Sequence, residues 1–319
     1  MAISMVGGVC NMITPHTLQT ESPADELAML LVGDTKSGKS RLAATAPGNI
    51  LFLETDRRLA ALRTHPNAAH IFGLEFADDI TGNNIPEAFN EEMDIISRLE
   101  ASPRLRDVHN NFSDQPADKL VDTLVFDSVQ TMADNARRYV MATSPDVAKS
   151  YTMGKKTYRV AKSYHAWGGE MEMVTGAILK ARAILHCKTC LEPATYRKDP
   201  SGKGLLSHSD TAKKYDHTPV ARAMNVIAIL HECMEEDERS TQENPIYTGK
   251  IEVYPRRYNS LLIYFNEVWR LTRQNGKIPT VSCDPDGKFT QAATALGIDK
   301  ITVPDIQQVL SNARSLRKQ

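Results

Sequence analysis

The sequence predicts an α/β fold, a mostly parallel central sheet flanked by helices. Three observations carry that prediction. Short apolar runs recur along the chain at 27–32, 49–53, 123–127, 183–187 and 226–230, the right length for buried strands. Helix-forming segments lie between several of them, and strands alternating with helices argue for a parallel sheet covered on both faces. The first run leads straight into Gly33-Asp34-Thr35-Lys36-Ser37-Gly38-Lys39-Ser40. That segment fits G-x-x-x-x-G-K-[ST], the phosphate-binding P-loop or Walker A motif.

The elements follow in order. Residues 1–26 read as an irregular leader broken by Pro15 and Pro23. Residues 27–275 form the core and 276–319 a small C-terminal extension. Leu27 to Val32 is the first strand, and the helix after Ser40 stops at Pro47-Gly48. Asn49 to Leu53 is the second strand, ending in Glu54-Thr55-Asp56. Residues 75–100 are acidic and partly helical. Thr123 to Asp127 is the third strand, followed by a helix through Met132 to Val140. Residues 170–181 read as another helix, and Ala183 to Cys187 as a fourth strand. Residues 191–218 are polar, with Pro200, Gly202 and Gly204, and read as a loop. Val226 to Leu230 is a fifth strand, 250–273 alternate like hairpin strands, and 291–315 read as one or two small helices.

The totals exclude several classes. At 319 residues the chain has room for a sizeable core, and 41% hydrophobic content suits a globular protein. Lys+Arg 38 against Asp+Glu 39 gives a net charge of −1, so no global nucleic-acid signature is present. No apolar run approaches the length of a membrane span. Met1 to Met12 lacks the basic start of a signal peptide. Five cysteines without such a signal favour reduced thiols in a cytoplasm.

The loop spacing has a physical logic. Glycines let the backbone curl round an anion so that successive N–H groups point inward. The positive end of the following helix adds to the attraction. Lys39 would reach the β- and γ-phosphates, and the Ser40 hydroxyl would bind Mg²⁺. Gly33, Asp34, Thr35, Lys36, Ser37, Gly38, Lys39, Ser40 and Arg41 form the expected nucleotide-binding set, with ATP and Mg²⁺ as ligands. Asp127 ends its strand where the second carboxylate organising Mg²⁺ belongs, and Ser128, not Glu, follows it. A water-orienting base must then come from elsewhere. The Glu54-x-Asp56 strand end supplies two carboxylates, Asp56 the first choice and Glu54 the second. No Asn-Lys-x-Asp for guanine and no Leu-Ser-Gly-Gly signature of transporter ATPases is present.

These features resemble the RecA-like ATPases, and more closely the phage and prophage members of the single-strand annealing and recombination group. The resemblance lies in the P-loop, Glu54-Thr55-Asp56, Asp127-Ser128, Trp167-Gly168, the strand ending at His186, and Thr248-Gly249-Lys250. It spans roughly residues 27–275. The family's triplet often reads Asp-Thr-Glu followed by glycines, whereas here Arg57-Arg58 follow. The resemblance implies a RecA-like P-loop NTPase fold and ATP hydrolysis that depends on DNA. It implies a strand carrying His186 beside the P-loop strand, with His186 reporting the γ-phosphate. Lys250, Arg256 and Arg257 would enter a neighbouring subunit's site. It further implies a ring or filament of identical chains, single-stranded DNA and a single-strand binding protein as partners, no membrane, and a host cytoplasm.

Charge distribution adds a residue-level reading. From Arg137 to Trp167 the cations Arg137, Arg138, Lys149, Lys155, Lys156, Arg159 and Lys162 face only Asp146, with Tyr139, Tyr151, Tyr158 and Tyr164 interleaved. Arg197, Lys198, Lys203, Lys213 and Lys214 recur in the second loop. Cations that track phosphates and aromatics that stack on bases suit single-stranded nucleic acid. Cys187-x-x-Cys190 with His186, His208 and His217 is a weak zinc pattern, since no second C-x-x-C accompanies it. Two other readings stay open at this stage, a small-molecule phosphotransferase and a nucleotide-gated scaffold that does not turn over.

Overall fold

The computed structural model describes residues 27–56, 59–76, 86–116, 118–144, 146, 148–153, 156–161, 164–186, 222–236, 247–251, 259–273, 279–283, 293–294, 296, 300–301 and 305–316. Its frame is a sheet of parallel strands. These are β1 (Ala28–Gly33), β2 (Ile50–Glu54), β3 (Ile71–Glu75), β4 (Thr123–Asp127), β9 (Asn225–Glu236) and β11 (Glu267–Thr272). They lie in the order β11-β1-β9-β4-β2-β3, every neighbouring pair parallel. β12 (Thr280–Ser282), β13 (Ala293–Thr294) and β14 (Lys300–Ile301) extend the β11 edge antiparallel. β10 (Tyr247–Ile251) pairs antiparallel with the far end of β9.

Strands buried on both faces should be apolar without alternation. Every residue of β1, β2 and β4 is buried. Their side chains divide by parity between two cores. Ala28, Leu30 and Val32 face α2 (Ala88–Ala101), α4 (Val129–Thr143) and α5 (Tyr164–Arg182) through Phe89, Ile96, Met132, Ala136, Val174 and Ile178. Met29 and Leu31 face Leu42 and Ala43 of α1 (Lys39–Ala43) and Ile306 and Leu310 of α7 (Ile306–Leu316). The remaining helices are short, α3 (Leu105–Val108) and α6 (Asn259–Leu262). The Ser128 side chain caps α4 by accepting from the Thr131 N–H, which lets the helix start directly at the end of β4.

Several sequence expectations change. In the run at 183–187 the described residues give β7 (Leu185–His186), which pairs with β8 (Arg222–Ala223) in a separate two-stranded sheet. The strand beside β1 is instead β9, the expected fifth strand. Among the described residues of 250–273 no hairpin forms, because β10 joins β9 and β11 joins β1. Among the described residues of 291–315 there are two short strands as well as a helix, rather than helices alone. β3 and the hairpin of β5 (Ala148–Met153) and β6 (Lys156–Ala161) were not foreseen. The 1–26 leader and the whole 191–218 loop lie outside the described residues.

Two buried polar features bear on stability. Arg270 of β11 reaches over Val32 of β1 to Glu232 of β9, with Nε to Oε2 at 2.9 Å and a second contact at 2.6 Å. This bidentate pair joins the two strands that flank β1. Removing one partner of a buried pair strands the other charge. Glu232→Ala should therefore lose about 3–5 kcal/mol in urea unfolding, and Glu232→Leu with Arg270→Met much less. His65 is the other feature. Burial, helped by Arg41 and opposed by Asp305, holds its imidazole below the usual value. The folded state thus binds fewer protons than the unfolded chain, so stability is lost as pH falls below 6.5. The melting temperature should drop more steeply on the acid side of 6.5 in the native protein than in His65→Asn.

Candidate nucleotide site

β1 delivers the P-loop to the sheet's C-terminal edge, where open α/β sheets bind ligands. Gly33 permits the close approach of β11, since a Cβ there would lie 2.3 Å from the Leu271 carbonyl oxygen. Gly38 takes φ +101°, a left-handed conformation that side chains resist. Lys36 accepts φ 66° at the loop's outer turn, closed by Ser37 N–H donating to Asp34 O at 3.1 Å.

Beneath the loop, Lys39 is 5% exposed. Its ammonium donates to Gly33 O at 2.7 Å and Asp34 O at 2.8 Å, and lies 3.3 Å from His231 Nδ1. Ser40 Oγ donates to Asp127 Oδ2 at 2.6 Å, joining residues 87 apart in sequence. Asp127 reaches it from β4, across β9.

The third group enters from the end of β2. The Asp56 carboxylate accepts from Thr131 Oγ1 and lies 3.7 Å from His231 Nε2. Glu54 is fully buried, and its Oε1 accepts the Asp56 N–H at 2.8 Å. Of the two candidate bases, Asp56 therefore borders the cleft, while Glu54 braces the turn that carries it. Thr55 ties β2 to β4, its N–H donating to Asp127 O at 2.8 Å and its Oγ1 accepting from Ser128 N–H at 3.2 Å.

The residues fit a nucleotide. Ser37 Oγ is buried with no partner among the described residues, a hydroxyl free to donate to a phosphate. Lys39 supplies a buried cation beneath the loop. Ser40 and Asp127 together offer two oxygens, and no group of three or more His, Cys, Asp or Glu able to hold a metal occurs among the described residues. Two ligands suit Mg²⁺, which keeps its waters and takes phosphate oxygens as well.

Residues 25–183 match a family model described as an AAA domain. This span is a P-loop NTPase domain of the AAA type. The AAA domain covers β1 through α5, and so holds the loop, Asp56 and Asp127, while β9 and His231 lie beyond it. No curated protein matches the chain. Proteins with such a domain are in general ATPases.

The other expected residues fall elsewhere. His186 sits on β7, outside the main sheet, so the position beside the P-loop belongs to His231. Sequence reasoning missed His231, although it follows the apolar run Val226–Leu230 directly. The strand order was the missing information. Lys156 and Arg159 lie on β6, paired to Met153 and Ser150. Lys250 lies on β10, opposite Cys233. Arg41 is exposed at the rim of the loop. Lys155, Lys162, Arg197, Lys198, Lys203, Arg256, Arg257 and the Cys187–Cys190 pair lie outside the described residues.

Gly33→Ala tests the close approach. Its methyl must displace the β11 backbone, so a loss of about 1–3 kcal/mol is expected in thermal unfolding, together with weaker nucleotide binding by titration.

Proposed function

We propose that this protein hydrolyses ATP and couples hydrolysis to work on single-stranded DNA, in phage recombination, annealing or replication. The observation that carries the hydrolytic part is the Ser40–Asp127 hydrogen bond at 2.6 Å, formed next in sequence to the buried Lys39. Mg²⁺ at Ser40 and Asp127 would supply charge neutralisation of the phosphates. Lys39 adds a second cation, and Asp56 accepts a hydrogen bond from the attacking water and so orients it.

The DNA part rests on charge and connectivity. α4 begins at the site, where Gln130 accepts the His231 N–H and Thr131 donates to Asp56. The same helix runs on to the β5–β6 hairpin, which carries Lys149, Lys156 and Arg159 and pairs Tyr151 with Tyr158. A helix tied to the site at one end and to a basic, tyrosine-bearing hairpin at the other is a direct mechanical link. Lys250, on β10, together with Arg256 and Arg257, serves a neighbouring copy in a ring or filament. A host cytoplasm and a single-strand binding protein complete this reading. No described helix is long and apolar enough to cross a membrane.

ATPase assays with and without single-stranded DNA test the reading. Single-stranded DNA should stimulate turnover at low salt, and the stimulation should decline steeply as salt rises. Asp56→Asn should lower kcat by about 10²–10⁴ with nucleotide binding retained. Turnover that ignores DNA at every salt concentration would sink the DNA assignment, and phosphorylation of an added small acceptor would replace it with a phosphotransferase.

A further inference from the structure

The first turn of α4 carries a short chain of hydroxyls that ends on Asp56. Thr131 Oγ1 donates to Asp56 Oδ1. An ionised carboxylate only accepts, and a hydroxyl has a single proton, so Thr131 spends its proton on Asp56. Ser128 Oγ lies 3.4 Å from Thr131 Oγ1, and the direction of that contact is thereby fixed: Ser128 donates. In return Ser128 Oγ accepts the Thr131 N–H at 3.5 Å, so each residue orients the other. Ser128 is itself anchored to the end of β2, because its N–H donates to Thr55 Oγ1 at 3.2 Å. Ser128 is 1% exposed, and the Asp56 side chain is 12% exposed, so water competes little for these contacts.

We propose that Thr131 is a positioning residue for the hydrolytic step, its hydroxyl holding the Asp56 carboxylate in the orientation that receives the attacking water. The proposal rests on the reading of this cleft as an ATPase site. The backbone of Asp56 is fixed by Glu54 Oε1, which accepts its N–H at 2.8 Å, but that contact leaves the carboxyl group to turn about its own bonds. Thr131 supplies the restraint from a different element, a fifteen-residue helix that starts directly after β4. One strand end therefore serves both halves of the site. Asp127 of β4 bonds Ser40, and Ser128, next in sequence, braces the residue that holds the base. The spacing of Asp56 from Asp127 is then set by adjoining residues of one chain segment.

Two substitutions separate the hydroxyl from the shape of the side chain. Thr131→Val keeps the shape and removes the proton, whereas Thr131→Ser keeps the hydroxyl. Thr131→Val should lower kcat by about 10–10²-fold, and Thr131→Ser by less than about 3-fold. Equilibrium binding of a non-hydrolysable ATP analogue with Mg²⁺ should stay within about 3-fold of the unmodified protein for both, since the hydroxyl acts on orientation rather than capture. In an Asp56→Asn background Thr131→Val should add less than about 2-fold, because the two residues act as one unit. Thermal unfolding of each variant checks that it folds, and Thr131→Ala replaces the Val variant if that one does not. A loss that Thr131→Ser fails to rescue, a loss seen in Kd instead of kcat, or a full further loss on top of Asp56→Asn would overturn the proposal. So would a Thr131→Val protein as fast as the unmodified one, and in that case the ATPase reading stands. An unmodified protein that binds the analogue but leaves ATP intact would overturn the ATPase reading, and the role of Thr131 with it.

Discussion

The buried ammonium of Lys39 is the constraint on which the site depends. A cation removed from water must be surrounded by acceptors, or burial becomes prohibitive. Here they are the carbonyls of Gly33 and Asp34 and the His231 ring. Two come from the end of β1 and the third from the strand beside it. The lysine is thus served by β9 lying next to β1 and presenting a polar residue at that level. With β9 in that place, β4 is displaced by one strand, and Asp127 must span the gap to meet Ser40.

The rest of the fold serves this edge. The alternating side chains of β1 are gripped by two separate cores, one under α2, α4 and α5 and one under α1 and α7. The C-terminal helix helps fix the phosphate loop, because the Ile306 N–H donates to Thr45 Oγ1 at 2.8 Å and Gln307 N–H to Thr45 O at 3.1 Å. A segment nearly at the end of the chain therefore holds the back of α1. The Arg270–Glu232 pair clasps β1 on the opposite face.

Much of this was legible in the sequence, and the limits have physical causes. The strand before the loop, the strands ending in Glu54-Thr55-Asp56 and Asp127, and the loop itself are local patterns, readable from apolar runs and spacing. The meeting of Ser40 and Asp127 follows from those patterns, because both residues end up at the same sheet edge. His231 was not legible for the opposite reason. Its importance depends on which strand lies beside β1, and Ala183–Cys187 and Val226–Leu230 look alike as apolar runs. Only long-range pairing distinguishes them. β3 was missed because Gly73 and Glu75 interrupt its apolar character, as an edge strand tolerates.

β9 is the longest of the described strands, twelve residues, and it does two jobs in succession. Its first part, through His231, is packed between β1 and β4, and its last part, Glu232 to Glu236, pairs with β10. The imidazole thus stands where one continuous backbone passes from packed sheet to hairpin. A load on that hairpin is carried along covalent bonds to the cleft without any intervening joint. Thermodynamic reciprocity then makes the relation two-way: whatever docks on the hairpin and shifts β9 changes the affinity for nucleotide by the same factor by which nucleotide changes that docking.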